Sequence, residues 1–412
     1  MLEPNHNRPV LKLSARSQAI SQALSVYINQ LVYDLRRRNR DIITLSLGEA
    51  FFDIPAFSFE KLDFVRGYHY SDSQGIPALR ERIADYYNKR YGASLDSSGE
   101  ILISAGSKPI IFMAMQAILD PGDVVAIPEP AWLSYQEQAR LCDASVCFIP
   151  HGLPVQQFHR YLMASVKLVV INNPNNPAGR VYTDIELLSL YDQCRSRGIY
   201  LLVDEAYSDF VLDGSFRCMP ELVPSLDGII TVNSLSKNMG MSGWRVGYAI
   251  AEPKFIETLL KLNQHIITCG PTILLQYLAE YFDEILAQTL PQVRAVVEKR
   301  ARIAARLDHL GFRYLRGTST FYFFIDVSCY AGDVHELALY LLLDKGVALV
   351  PGSAYGASTE RFLRLSIGTE SEERIEEALQ VLQSVLITGV IPGFVDAEIE
   401  RLGLPTFAKS RR

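Results

Sequence analysis

No two of the six cysteines are spaced C-x-x-C; they stand apart at positions 142, 147, 194, 218, 269 and 329. That excludes a disulfide framework and a cysteine zinc site, and reduced thiols of a cytoplasmic protein are the expectation. The seven histidines show no H-E-x-x-H or similar ligand spacing, so no metal site is expected. No apolar run approaches the roughly 18 residues of a membrane span, and the N-terminus MLEPNHNRPV lacks the apolar core of a signal peptide. Positive charge is not in excess either. A net charge of -6 leaves no electrostatic footprint for nucleic acid or an anionic membrane. Internal repeats and low-complexity segments are absent.

What remains is an ordinary globular composition, 49% hydrophobic and 21% charged. At roughly 150 residues per domain, 412 residues predict two to three domains. Apolar positions at helical spacing from Ser17 to Arg40, with a basic C-terminal end, predict a leading amphipathic helix. A short strand from Ile42 to Leu47 then runs into Gly48, where backbone can approach a ligand closely or simply turn. Further on, GEILISAGSKPIIFMAMQAIL reads as strand, turn and helix, with Gly106, Ser107 and Lys108 at the helix start. Free N–H groups at such a start make a phosphate cradle.

DVVAIPEP predicts a buried strand ending near Trp132, which either fills core or stacks on a planar ring. The run Val166 to Ile171 ends in an Asn/Pro cluster that includes Asn176. In YLLVDEAYSDF, Asp204 stands at the carboxyl end of an apolar strand, with Tyr207 three residues later. An acid in that setting costs desolvation unless it has a partner, and a protonated pyridine nitrogen would be one. Strands alternating with helices predict an α/β fold with a mainly parallel sheet. Gly106, Trp132, Asn176, Asp204 and Lys237 all fall at the carboxyl ends of its strands, where such sheets bind ligands.

The chain is organised around TVNSLSKNMGMSGWRVGY, Thr231 to Tyr248. Lys237 follows a β-rich run, flanked by Ser234 and Ser236, and Arg245 comes eight residues later. Lysine forms Schiff bases once its pKa is lowered, and arginine grips phosphate oxygens as a fork. Together they point to pyridoxal phosphate. Ser234-x-x-Lys237 also matches the nucleophile motif of β-lactamases, but the S-D-N and K-T-G strings which that reading needs do not occur. After about residue 290 the texture changes to a long charged helix, an alternating run STFYFFIDV, and further helices and strands. The expected division is an N-terminal segment 1–60 packing with the small domain, a large domain 61–289, a smaller α+β domain 290–388, and a tail 389–412 with a short helix.

The ordered motifs LSLGEAFFDIP, YSDSQGIPALR, SAGSKPII, PEPAWLSY, NNPNNPAG, VDEAY, SLSKNMGMSGWRVGY, VPGSAYG and LRLSIG resemble the class I/II aminotransferases, fold type I pyridoxal phosphate enzymes, over roughly residues 40 to 370. The resemblance implies a PLP-transferase sheet domain and an enzyme that moves the α-amino group of an L-amino acid to a 2-oxo acid. It implies that Lys237 carries the cofactor, that Asp204 pairs with its ring nitrogen, and that Asn176 and Tyr207 bond its phenolic oxygen. Trp132 would stack on the ring; Ser107, Lys108, Ser234, Ser236 and Arg245 would surround the phosphate, with the Gly106 backbone nearby. Tyr70 would reach the phosphate of a neighbouring subunit, which implies a homodimer with shared sites. Arg364 would clamp the substrate α-carboxylate, assisted by the backbone at Gly48.

The sequence departs from the family on the substrate side. Ala50-Phe51 stand where Pro-Asp is usual, Ala178 replaces a threonine, and Ser319-Thr320-Phe321-Tyr322 replaces G-A-F-Y. The alternatives are a lyase, cyclase or replacement enzyme of the same fold acting in specialised biosynthesis, and a non-catalytic ligand sensor. Phe51, Phe52 and Tyr70 favour an apolar or aromatic substrate, whereas Glu49, His69 and Asp72 keep a polar or cationic one open.

Overall fold

A computed structural model of the chain describes residues 11–212 and 216–407, so the reading of the first ten residues lies outside it. Along the chain the strands are β1 (Ile43–Thr44), β2 (Ile101–Ser104), β3 (Val124–Pro128), β4 (Ser145–Ile149), β5 (Val166–Asn172), β6 (Tyr200–Asp204), β7 (Ile229–Ser234) and β8 (Gly247–Ala251). They continue as β9 (Arg313–Tyr314), β10 (Tyr322–Asp326), β11 (Val347–Ala348), β12 (Val350–Pro351) and β13 (Phe362–Ser366).

The large sheet has the order β2-β8-β7-β6-β5-β3-β4. β8 runs antiparallel to both its neighbours and the other pairings are parallel, so six strands point one way. The inner strands are buried along nearly their whole length. Continuous apolar runs such as IITV suit a sheet covered on both faces. Asn172, Asp204 and Ser234 are thereby brought to one edge as the last residues of three adjacent strands.

Gly247 explains how closely that edge is assembled. A Cβ there would fall 2.4 Å from the Ser107 nitrogen and 2.9 Å from the Asn233 oxygen, both backbone atoms that cannot swing away. Gly247→Ala is expected to destabilise the chain by about 1–3 kcal/mol, as overpacking does. Urea unfolding checks this, and an unchanged midpoint would contradict it.

The second sheet, β12-β13-β10-β9, is antiparallel, and β1 pairs with β11 in parallel. One apolar cluster joins Tyr27, Ile28, Leu31 and Leu35 to Phe321–Ile325 and Leu337–Leu343. The N-terminal segment thus shares a core with residues from late in the chain. Farther along, Ile54 and Phe57 pack against the large-sheet core instead. A 28-residue helix, Phe282–His309, runs unbroken across residue 290 with Pro291 inside it.

One element differs from the sequence expectation. The leading helix is two, Ala15–Ala19 and Leu24–Arg36, with Ile20 extended between them. No proline or glycine breaks it. The break follows from docking: Arg16 pairs with Asp143, and the Ser21 N–H donates to Glu137 Oε2 at 3.2 Å. At the other end, the described part of the tail is anchored. The helix Phe394–Leu402 packs on Val334–Leu343, and the Tyr27 hydroxyl donates to the Pro405 carbonyl at 2.9 Å. Among the described residues no helix is long and apolar enough to cross a membrane, and no three metal-capable side chains form a group.

Candidate active site

Lys237 lies one turn past β7, in the short helix Leu235–Asn238. Its Nζ lines a cavity at the sheet edge and donates to the Gly48 carbonyl at 2.6 Å. The amine keeps some exposure to that cavity, but the protein around it takes away most of its water. Burial therefore pushes its pKa down to about 8; the Arg364 and Arg245 charges add to this, while Glu49 and Asp204 oppose it. A neutral amine is thus available at Lys237 near neutral pH, as a nucleophile or a base requires.

On one side of Lys237 lies an anion-binding cradle. The helix Ser107–Ile118 begins there, after Gly106 at φ 97°. A Cβ on Gly106 would fall 2.5 Å from an Arg245 guanidinium nitrogen, so glycine is what lets the two meet. Arg245 is itself held at φ 56°, a strained backbone for a non-glycine residue. Ser234 Oγ donates to Ser236 Oγ at 2.9 Å beside it. Lys108 sits 4.9 Å from the Trp132 ring centre, its pKa lowered by burial and by Arg245. Two cations, two hydroxyls and a helix N-terminus make up this end.

Opposite stands Asp204, buried at the end of β6. Tyr135 donates to its Oδ2 at 2.6 Å and the Ala206 N–H to its Oδ1 at 3.0 Å. Burial raises the carboxyl's pKa even so, and a carboxylate has acceptor capacity beyond two bonds. Trp132 meets the Tyr135 ring edge to face at 5.3 Å. Asn172 locks the floor, donating to the Asp204 carbonyl at 2.8 Å and accepting the Asn176 N–H at 2.6 Å.

The third side comes from β10, β13 and the segment after β1. Arg364 donates to the Ser46 carbonyl at 2.6 Å and reaches Asn176 Oδ1 at 3.5 Å. Its Nε is buried without a hydrogen-bond partner among the described residues, and its guanidinium lies 4.7 Å from the Tyr322 ring centre. The Tyr207 and Tyr322 hydroxyls are 2.9 Å apart, and burial raises both phenols so that they stay protonated. Among the described residues, none of Lys108, Lys237, Arg245 and Arg364 has a carboxylate within ion-pair distance. The site is built to receive anions.

Of the residues singled out from the sequence, Gly48, Ser107, Trp132, Asn176, Asp204, Tyr207, Lys237 and Arg364 line the one cavity. Gly106, Lys108, Ser234, Ser236 and Arg245 border its cradle end. Tyr70 is elsewhere, 84% exposed and on a separate cleft beside Arg66 and Gln276. Tyr135, Asn172, Tyr322, Ser46, Ser25 and Asn29 line the cavity as well, and the sequence reading had not assigned them to the site.

Comparison with known proteins shows the family. The family model for aminotransferase class I and II matches residues 42–382. A probable aspartate/prephenate aminotransferase of Aquifex aeolicus is 33% identical over 395 residues, covering 91% of this chain and 98% of that protein. An aromatic-amino-acid aminotransferase of Thermococcus litoralis is 31% identical, over 86% of this chain and 94% of its own. The solved aspartate aminotransferase of Thermus thermophilus with maleate superimposes with a TM-score of 0.82 at 30% identity, covering 91% of this chain and all of that one.

Proposed function

The chain belongs to the class I and II aminotransferases, and we propose that it moves the α-amino group of an L-amino acid to a 2-oxo acid using pyridoxal phosphate held at Lys237. The observation that carries this is a cavity lined by Lys237, Arg364 and buried Asp204 and bordered by Lys108 and Arg245, with none of the four cations in an ion pair among the described residues.

The residues present fit the cofactor. The cradle of Ser107, Lys108, Ser234, Ser236 and Arg245 matches a phosphate in charge and donors, and Gly106 and Gly247 keep its backbone close. Spare acceptor capacity on Asp204 suits a ring N–H. Asn176 and Tyr207 suit the phenolic oxygen, and Trp132 the ring face. The buried, unpartnered Nε of Arg364 suits a substrate α-carboxylate, with the Gly48 backbone beside it.

When bound, pyridoxal phosphate supplies an aldehyde carbon and a protonated ring that takes up the electron pair left at the substrate α-carbon. Lys237 would hold the cofactor through Nζ and, as a neutral amine, would take and return the proton at the substrate α-carbon. Asp204, held by Tyr135, would keep the ring nitrogen protonated. Arg364 orients the substrate by its carboxylate, so that the α-hydrogen faces Lys237.

We propose that two copies of the chain share their sites, Tyr70 serving its partner's phosphate. Its exposure, together with that of Val65, Tyr68 and Phe51, supports this. A cytoplasmic location belongs to the same reading, supported by the free cysteines. So does the division into a large domain, 61–289, and a small one, 290–388, supported by one apolar cluster drawn mainly from the N-terminal segment and residues after 290, beside three drawn from the large sheet and its helices.

Two outcomes are expected. Cofactor-free chain takes up pyridoxal phosphate about tenfold faster per pH unit below pH 8 and levels off above it, because only neutral Lys237 attacks. A pH-independent rate would contradict Lys237 as the amine. The loaded enzyme, given an L-amino acid and a 2-oxo acid, forms the new amino acid. Release of ammonia, or of a rearranged product with no new amino acid, would favour the lyase or cyclase reading.

A further inference from the structure

The helix that carries Lys237, Leu235–Asn238, is a single turn. One turn fixes several backbone angles for little return and has no stability of its own. What aims the lysine into the cavity therefore comes from outside the helix. Ser234 caps its start, accepting the Ser236 N–H at 3.2 Å. At the far end Asn238, next in the chain after Lys237, is buried and donates through Nδ2 to Asp209 Oδ2 at 2.9 Å.

Asp209 is buried too, and its other oxygen, Oδ1, accepts the Tyr86 hydroxyl at 2.5 Å and the Tyr91 hydroxyl at 2.9 Å. Arg90, on the same helix Pro77–Tyr91 as both tyrosines, brings its Nε to 3.5 Å from Oδ1. Burial, and then the Asp209 charge, raises both phenols, so they donate. A carboxylate only accepts, which fixes the Asn238 amide with its nitrogen toward Asp209. Asp204, five residues earlier, lines the cavity, whereas Asp209 does not. Burying a charged network costs desolvation that an apolar filling would avoid. The network is built around the lysine helix.

We propose that Asp209 is a positioning residue for Lys237, holding the lysine helix through Asn238 so that Nζ stays at the cavity. The inference rests on the aminotransferase reading above and goes beyond it. With the tether cut, the amine loses its fixed place and meets more water. The burial that lowers its pKa to about 8 is then partly lost.

The test uses cofactor-free chain and pyridoxal phosphate, with the uptake rate followed across pH. The parent's rate is expected to level off at about pH 8. In Asn238→Leu, nearly isosteric, the levelling point moves up by about one pH unit, toward the ordinary lysine value. The loaded variant loses about tenfold or more in kcat for amino transfer, while KM changes less than about threefold because Arg364 is untouched. Asp209→Asn is the conservative variant. Its amide can still bond Asn238 once that side chain turns over to present its oxygen, which has no hydrogen-bond partner among the described residues. It is expected to keep the levelling point within about 0.3 pH unit of the parent. Asp209→Leu is expected to shift it as Asn238→Leu does, and the double variant no further. If Asp209→Leu does not fold, Asn238→Leu against Asp209→Asn decides alone. A parental levelling point and kcat in Asn238→Leu would overturn the proposal. So would an Asp209→Asn shift as large as that of Asn238→Leu, or leucine shifts that add in the double variant. Uptake in the parent at a lysine other than Lys237, located by borohydride trapping, would instead overturn the reading beneath.

Discussion

Alanine in place of Lys237 is expected to lower amino transfer by about 10⁴-fold or more. A positioned proton-transfer group alone contributes roughly 10²–10⁴, and Lys237 is in addition the cofactor's covalent anchor in this account. The fold is expected to survive. The amine makes one hydrogen bond, to the Gly48 carbonyl, and its pKa in the folded chain, about 8, lies below its ordinary value. Folding thus disfavours the charged form. The resulting penalty is fully present below about pH 8 and fades as pH rises toward the ordinary lysine value. The alanine variant without cofactor should melt at the same temperature as the parent or higher at pH 7. A variant with near-parent turnover, measured as new amino acid formed, would remove Lys237 from the mechanism.

Asp204→Asn is expected to act with opposite signs on activity and stability. On the proposed reading, the carboxylate with cofactor bound would be one half of a buried ion pair. Breaking such a pair costs about 3–5 kcal/mol, which as a barrier change is roughly 10²–10⁴ in rate. The Tyr135 hydroxyl can still donate to an asparagine oxygen, so local geometry is kept. Without cofactor, burial raises the Asp204 pKa above its ordinary value. Its ionisation then opposes folding progressively as pH rises above about 4. The asparagine variant without cofactor should therefore be the more stable at pH 7, with the gain vanishing toward pH 4. Melting curves across pH and steady-state rates check the two halves separately. A loss of both stability and activity would mean that Asp204 is structural.

The large sheet was legible because its strands are buried on both faces and so read as unbroken apolar runs, as in IITV and LVVI. Lys237 and Asp204 stood out as charges placed where apolar strands end, and Arg245 as a cation eight residues past Lys237 in a glycine-punctuated segment, a pattern visible without any fold. Tyr135 and Tyr322 carried no such mark. Each is an aromatic in an amphipathic or apolar segment, and only packing turns its hydroxyl toward Asp204 or Tyr207. Ser25 and Asn29 carried no mark within the leading amphipathic helix, and only the fold brings them to the cavity. The break at Ile20 depends on Glu137 and Asp143, more than a hundred residues away, so no local signal could announce it. The tail likewise shows its role only by where Phe394 and Phe407 land, on Tyr340 and Tyr27.

The most direct measurement is borohydride reduction of the protein loaded with pyridoxal phosphate, followed by digestion and mass spectrometry of the lysine peptides. The account predicts that a visible absorption band disappears on reduction and that the cofactor's mass is found on the peptide carrying Lys237. Label on another lysine, Lys108 above all, or the absence of any reducible band, would contradict it.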